Sequence, residues 1–150
     1  MKFKKSLLIK NRVEITDNYI TDRFIIINRT FPHYIDISHI TESGSLSTGD
    51  ITEKRIKEVV IKPLKDLFMI NFTRHNAKYD YRTKTVNIDL IINSLNKNIT
   101  LELKYYQFIM ELMDDNPGLT LYKELNIKHG AIYLYLDNDL VIAVMPFKTS

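Results

Sequence analysis

Histidine and carboxylate side chains are the first candidates for chemistry in this sequence. His39-Ile40-Thr41 matches half of the paired His-x-Thr signature, in which one histidine acts as the acid and the other as the base. There is no second copy of this motif, because His75 precedes Asn-Ala and His129 precedes Gly-Ala. The second histidine that this chemistry needs is therefore missing, and we predict that the protein is not an enzyme.

Metal-binding and cofactor-binding patterns are also missing from the sequence. There is no cysteine, which excludes thiol nucleophiles, cysteine-ligated zinc and disulfides together. The four histidines are scattered without metal-ligand spacing, and Asp137-Asn138-Asp139 lacks the other ligands of a calcium loop. No glycine-rich phosphate loop occurs. We therefore expect no metal and no cofactor.

Basic side chains are the second group that could act, by binding a polyanion. The net charge is only +3, from 21 Lys and Arg against 18 Asp and Glu, so the distribution of charge matters more than its sum. A dense group occupies the middle of the chain: Lys54, Arg55, Lys57, Lys62 and Lys65. Such side chains suit sequence-independent contact with a phosphate backbone. A solvated helix face would have the same composition, and both interpretations stay open.

A third candidate combines aromatic and basic residues. Tyr79, Tyr81 and Arg82 lie close together in the sequence and could stack on the bases of a single strand. Alternating tyrosines are also typical of ordinary packing on a sheet. The sequence does not decide between these two interpretations.

The elements that must position these residues follow from composition and periodicity. The chain has 150 residues, 45% of them hydrophobic and 26% charged, which is typical of one globular domain. Alternating and β-branched runs predict a hairpin over about residues 5–29. Apolar residues at helical spacing predict a helix over residues 52–66, with Pro63 expected to kink or split it.

The rest of the chain predicts strands around one further helix. Tyr105, Phe108, Ile109, Leu112 and Met113 have helical spacing, and Asn116-Pro117-Gly118 should end that helix. Strands are predicted at 68–72, 78–82, 85–92, 99–103, 119–125, 131–136 and 140–147, with a turn at 93–98. This order indicates an α+β fold with helices on one face of antiparallel sheets. We divide the chain into an N-terminal arm (1–40), a Ser/Thr/Gly-rich loop (41–50) and a domain (51–150).

Two short segments resemble a known family. The chain ends in Ile142-Ala143-Val144-Met145-Pro146-Phe147-Lys148, and Phe31-Pro32-His33-Tyr34 follows the predicted hairpin. In this order and separation, the two segments resemble the C-terminal part of the bacterial DNA sliding clamp, the β subunit of its replicative polymerase. A clamp has three such domains, whereas this chain has one, as expected of a clamp fragment or of a shortened phage or plasmid protein.

The resemblance implies a non-catalytic role in DNA replication. It implies a DNA-clamp-like domain with two helices packed on antiparallel sheets, and a polymerase processivity factor that binds double-stranded DNA. A single domain would have to form a homo-oligomer to encircle the duplex. The basic inner wall of such a ring would correspond here to Lys54, Arg55, Lys57, Lys62, Lys65 and Lys104.

The resemblance also implies an apolar pocket for peptides from DNA polymerase and other clients. The matching positions are Pro32, Ile37, Ala143, Met145, Pro146 and Phe147. The family usually has an arginine just before the position of Ile37, where this chain has Asp36. An alternative is a small interaction protein that mimics the clamp and captures its clients without encircling DNA.

The apolar runs are short throughout the sequence. The N-terminal segment has an apolar run of only three residues, Leu7 to Ile9, which is shorter than a signal peptide needs. No stretch approaches the roughly 20 apolar residues of a membrane span. We expect a cytoplasmic protein with no membrane partner.

Overall fold

The computed structural model describes residues 3–9, 12–30, 37, 40, 49–71, 77–92, 94–124 and 130–145. The strands are β1 (Glu14–Ile15), β2 (Tyr19–Thr21), β3 (Ile25–Asn28), β4 (Phe68–Ile70), β5 (Ala77–Asp80), β6 (Thr85–Ile92), β7 (Leu95–Glu102), β8 (Leu119–Lys123), β9 (Ile132–Leu136) and β10 (Asp139–Val144). The helices are α1 (Gly49–Arg55), which continues as a π-helical turn (Ile56–Val60), and α2 (Leu103–Asp115). Short 3₁₀ helices span Lys5–Leu7 and Leu64–Asp66.

Two antiparallel sheets organise these elements. The larger sheet has seven strands in the order β1-β2-β3-β10-β9-β8-β4, and the smaller has the order β5-β6-β7. Every strand pair in both sheets is antiparallel. The predicted α+β class with antiparallel sheets is therefore confirmed at this level.

The central strands of the large sheet are buried on both faces. Ile25 and Ile27 of β3 contribute to the main core, together with α2 and the inner face of the small sheet. Ile26, which lies between them, packs instead in a second core under the segment that follows α1. The two helices thus lie on opposite faces of the large sheet, which corrects the expectation that they share one face.

Helix α2 follows its predicted amphipathic pattern. Its buried residues are Tyr105, Tyr106, Phe108, Ile109 and Leu112. At the C-terminal end, both the backbone N–H and the side-chain amide of Asn116 donate to the Leu112 carbonyl, each at 3.0 Å. These bonds satisfy carbonyl groups that the last turn leaves without helical partners. The predicted stop at Asn116-Pro117-Gly118 is confirmed.

The predicted helix over 52–66 is divided at Pro63. The helical segment ends when Ile61 adopts an extended conformation, with φ −80° and ψ 117°. A proline disfavours helical geometry in the residue before it, so Lys62 cannot continue the helix. Pro63 instead precedes the 3₁₀ helix Leu64–Asp66.

The predicted turn at 93–98 is wrong in most of its length. Strand β7 begins at Leu95, which pairs with Ile92, so residues 95–98 belong to a strand. Ser94, just before this strand, adopts a left-handed φ of 64°. Asn98 lies within the strand, where its side-chain amide exchanges hydrogen bonds of 2.5–2.6 Å with that of Asn87. The asparagines therefore stabilise a cross-strand pair instead of forming a loop.

The N-terminal region contains three short strands and a 3₁₀ helix in place of the single hairpin predicted over residues 5–29. Asp22, which is fully buried, links these pieces. Its Oδ1 accepts hydrogen bonds from the backbone N–H groups of Phe24 (2.8 Å) and Ile25 (2.9 Å), and its Oδ2 accepts one from Ile9 (2.9 Å). One carboxylate thus satisfies three backbone donors and connects the N-terminal segment to the start of β3.

We predict that Asp22→Ala lowers the free energy of unfolding by about 3 kcal/mol or more, because it leaves three backbone donors without acceptors. Asp22→Asn should cost less, since its remaining oxygen still serves Phe24 and Ile25. Urea denaturation measures both changes, with the exposed Asp17→Ala as the control. Equal stability of Asp22→Ala and Asp17→Ala would contradict the role given to Asp22.

Candidate nucleic-acid interface

The segment 49–67 covers the second face of the large sheet, and we call it the basic layer. Ile56 and Leu67 anchor it in the second core. The Tyr135 hydroxyl donates to the Lys62 carbonyl at 3.2 Å, and the Thr52 hydroxyl lies 2.5 Å from a carboxylate oxygen of Glu14. The layer is therefore attached to the sheet at both of its ends.

Most of the cationic side chains of the basic layer reach solvent. Lys54, Arg55, Lys57 and Lys65 are exposed, and Lys62 is half-buried. The structure thus brings five of the six predicted DNA-binding residues onto one layer. Among the described residues, no carboxylate forms an ion pair with Lys54, Arg55 or Lys65. These three charges remain available to a ligand.

Lys57 is partly neutralised by a carboxylate of the same layer. Its ammonium lies 3.4 Å from Glu53, whose side chain also accepts a 2.6 Å hydrogen bond from Asn18. Burial raises the pKa of Glu53, but hydrogen bonds from Thr16, Asn18 and Lys57 outweigh it and leave the pKa below its ordinary value. Glu53 therefore keeps its negative charge at neutral pH, and Lys57 contributes less to any polyanion contact.

Lys104, the sixth predicted DNA-binding residue, lies apart from the others. It belongs to the first turn of α2, which packs in the main core on the opposite face of the large sheet. Its ammonium is 3.5 Å from Glu102 and 5.0 Å from the centre of the Tyr105 ring. The structure does not bring Lys104 together with the basic layer.

The described residues of the predicted peptide pocket do not converge on one surface. Ile37 packs against the main core, whereas Ala143 is 2% exposed in the second core on the other side of the sheet. Met145 is half-buried, and its backbone N–H donates to the Phe24 carbonyl at 2.8 Å. Pro32, Pro146 and Phe147 lie outside the described residues. Phe24 is an exposed aromatic residue beside Met145 that the sequence analysis missed.

Lys123 is a buried titratable residue that the sequence analysis also missed. It is 3% exposed, and its ammonium donates to the Gly130 carbonyl at 2.8 Å. Burial lowers its pKa to about 8, with a smaller upward effect from Glu124 and a downward effect from Lys97. The alternation Leu119, Leu121, Lys123 along β8 places a lysine at an inward position, which is the signal that could have revealed it.

The structure offers no grouping of ligands for a metal ion within its described residues, where no three histidine, aspartate or glutamate side chains are suitably placed. Among the same residues, no helix has the length and apolar character needed to cross a membrane.

No family model matches the chain, and no match was found among curated proteins or solved structures.

The depressed pKa of Lys123 predicts a pH-dependent stability. Between pH 8 and 10.5 the unfolded chain binds more protons at this site than the folded chain, so the free energy of unfolding should rise with pH. We expect a rise of about 2 kcal/mol between pH 7 and 10. Above pH 10 the buried Tyr133, whose pKa is raised by burial, should reverse this trend.

Lys123→Met should abolish the rise, because methionine has a similar length and no charge to desolvate. Chemical denaturation at a series of pH values measures the effect, and Lys54→Met at an exposed position should follow the unmodified protein. A flat wild-type profile over this range would contradict a depressed pKa at Lys123.

Proposed function

We propose that this chain is a non-catalytic DNA-binding protein that acts in the manner of a sliding-clamp domain and supports a DNA polymerase. The observation that best supports this proposal is the basic layer, where Lys54, Arg55 and Lys65 are exposed and have no carboxylate partner among the described residues. Long cationic side chains on a helical surface reach phosphate oxygens but read no base edges. The contact with double-stranded DNA is then independent of sequence and sensitive to salt.

The separation of the two helices limits which surface contacts DNA in this proposal. Since α2 lies on the other face of the large sheet, Lys104 does not share the duplex with the basic layer. The phosphate contacts therefore come from the basic layer alone. Encirclement of a duplex needs several copies of the chain, each with its basic layer turned inward.

The edges of the large sheet support the proposed self-association. Within the described residues, β1 and β4 each pair with a strand on one side only. Phe68 and Met69 on β4 are exposed, and Met69 is 60% exposed. An apolar edge strand with unpaired backbone groups is a surface to which a second copy can add. We therefore place the contact between copies at β4.

A second candidate function is client capture without encirclement of DNA. In this proposal the C-terminal segment binds peptides of a polymerase, as the family resemblance implies. The observation that favours it is the exposed ring of Phe24 beside the half-buried Met145. Such an apolar pair could receive an aliphatic side chain of a client peptide. This function needs neither the basic layer nor an oligomer.

The first test measures the affinity of a fluorescent DNA duplex by anisotropy over a series of salt concentrations. Lys54→Gln/Arg55→Gln should weaken binding about tenfold or more at low salt, and should reduce the slope of log K against log salt by about 2. Glutamine preserves helix propensity at both positions.

The matched control for this test is Lys4→Gln/Arg12→Gln, which removes two exposed positive charges at the N-terminal end of the chain. It should leave the duplex affinity within about twofold of the wild-type value. Equal losses in the two double variants would show that net charge alone governs binding, and would contradict a localised interface.

The second test measures solution mass by light scattering at several protein concentrations. We expect an oligomer that is retained on circular DNA and lost after linearisation. Met69→Glu should return it to a monomer of 17.7 kDa, because a charge at the β4 edge opposes strand addition. Ile91→Glu, at an exposed position of the small sheet, is the control. A wild-type monomer would contradict encirclement and favour client capture.

A further inference from the structure

Two tyrosines form an exposed aromatic stack on the small sheet. The rings of Tyr79 and Tyr81 are stacked, with their centres 6.0 Å apart and their planes inclined by 13°. Tyr79 is 44% exposed and Tyr81 is 75% exposed. Ordinary sheet packing therefore does not account for Tyr81, whose outer ring face is open to solvent.

The stack is attached to the main core through its inner member. Tyr79 pairs with the fully buried Val86 across the β5–β6 register, so both side chains face α2. The Tyr79 ring meets the buried Tyr106 of α2 edge-on, with 6.1 Å between ring centres. Tyr81 thus stacks on the Tyr79 ring, which is fixed by its contact with Tyr106. A ligand would therefore not have to order the Tyr81 side chain on binding.

The turn that presents Tyr81 is also held in place. Oδ1 of Asp80 accepts hydrogen bonds from the backbone N–H groups of Arg82 (3.0 Å) and Thr83 (3.3 Å). The backbone hydrogen bond from Thr83 is the largest of the effects that lower the pKa of Asp80. The Lys84 carbonyl accepts a 2.8 Å bond from Leu103 at the start of α2. Pre-organisation of this kind lowers the entropic cost of binding.

The hairpin that carries the stack is positively charged. Arg82 and Lys84 are exposed in the turn with Tyr81, whereas Lys78 alternates with Tyr79 along β5 and faces the other side of the sheet. Asp80 is the sole acidic residue in 77–85. Three positive charges and one negative charge leave +2 on nine residues, out of a net +3 for the whole chain. A ligand that matches this surface must combine a flat ring with negative charge.

We propose that the β5–β6 hairpin is a binding site for single-stranded nucleic acid, with one base stacked on the open face of Tyr81. Arg82 and Lys84 of the same turn contact the phosphates on either side of that base. Base–aromatic stacking together with backbone charge is how sequence-tolerant single-strand binders work. This site lies on the opposite side of the large sheet from the basic layer and does not depend on the proposed clamp function.

The geometry also limits how the base binds. Two parallel rings whose centres are 6.0 Å apart leave no room for a third ring between them, so the base stacks outside the pair. A paired base inside a duplex presents only its edges, and it cannot offer its face to Tyr81. The site should therefore prefer a single strand over the same strand in a duplex.

The test measures anisotropy of a short fluorescent oligothymidine with the full chain. Tyr81→Ala should weaken binding about tenfold or more, while Tyr81→Phe, which keeps the stacking ring, should stay within about twofold of wild type. Arg82→Gln/Lys84→Gln should weaken binding and reduce its salt dependence, whereas Lys4→Gln/Arg12→Gln should do neither. Circular dichroism of each variant controls for folding.

Three further probes separate stacking from other modes of binding. An abasic strand of the same length has the phosphates without the bases, and it should bind Tyr81→Ala and wild type equally. In the Lys54→Gln/Arg55→Gln background, which lacks the main charges of the basic layer, annealing the oligothymidine to its complement should weaken binding. Neutral oligosaccharides, which also stack on tyrosine, should not compete.

Several results would overturn the proposal. One is that Tyr81→Ala binds oligothymidine as tightly as the wild-type protein does. Another is that the wild-type protein does not bind oligothymidine at all. A third is that the wild-type protein binds the abasic strand as tightly as it binds oligothymidine. Competition by a neutral oligosaccharide that also depends on Tyr81 would assign the site to a carbohydrate instead.

Discussion

Burial of the central strands on both faces is the constraint on which the rest of this structure depends. In β3, β9 and β10, neighbouring residues pack into different cores, so each face of the large sheet needs its own cover. The main core takes α2 and the small sheet as its cover, and the second core takes the basic layer. Apolar side chains left without either cover would remain in water at a cost of roughly 25 cal/mol per Å². The basic layer packs on one face of the large sheet, and the small sheet that carries the tyrosine stack packs on the other face. The two candidate nucleic-acid surfaces therefore lie on opposite sides of the protein.

Local patterns in the sequence predict the type and the approximate ends of an element wherever that element has one buried face. Strand β6 alternates between inward and outward residues, and its predicted bounds at 85–92 match the structure. Helix α2 was equally clear, because its apolar residues share one face and Asn116 ends it. The run Ile25-Ile26-Ile27 has no such alternation, since both of its faces are buried. The run predicts a strand, but it does not show which helix packs on which face of that strand. The placement of the two helices could therefore not be predicted from local sequence.

The candidate sites depended on topology in the same way. Lys54, Arg55 and Lys57 lie outside the apolar face of their helix, so their exposure could be predicted from helical spacing alone. The surface on which Lys104 lies depends on which face of the large sheet α2 covers. No local pattern in the sequence predicts that face. The two tyrosines of the β5–β6 hairpin show a related limit. Alternation predicted that Tyr79 and Tyr81 lie on one side of a strand, but the position of α2 decides that Tyr79 contacts Tyr106 while Tyr81 remains exposed.

The small net charge of +3 means that the position of charges, and not their sum, must produce any specificity for nucleic acid. Each candidate surface presents cations from a backbone that is fixed by a hydrogen bond. The Lys62 carbonyl accepts a bond from the Tyr135 hydroxyl in the second core, and the Lys84 carbonyl accepts one from the N–H of Leu103, which packs against the main core. Side chains presented by an ordered backbone lose less entropy on binding than those of a mobile tail. Substitutions on one surface share no partner with the other, so their effects on stability should add. That independence allows the duplex site and the single-strand site to be tested separately within one chain.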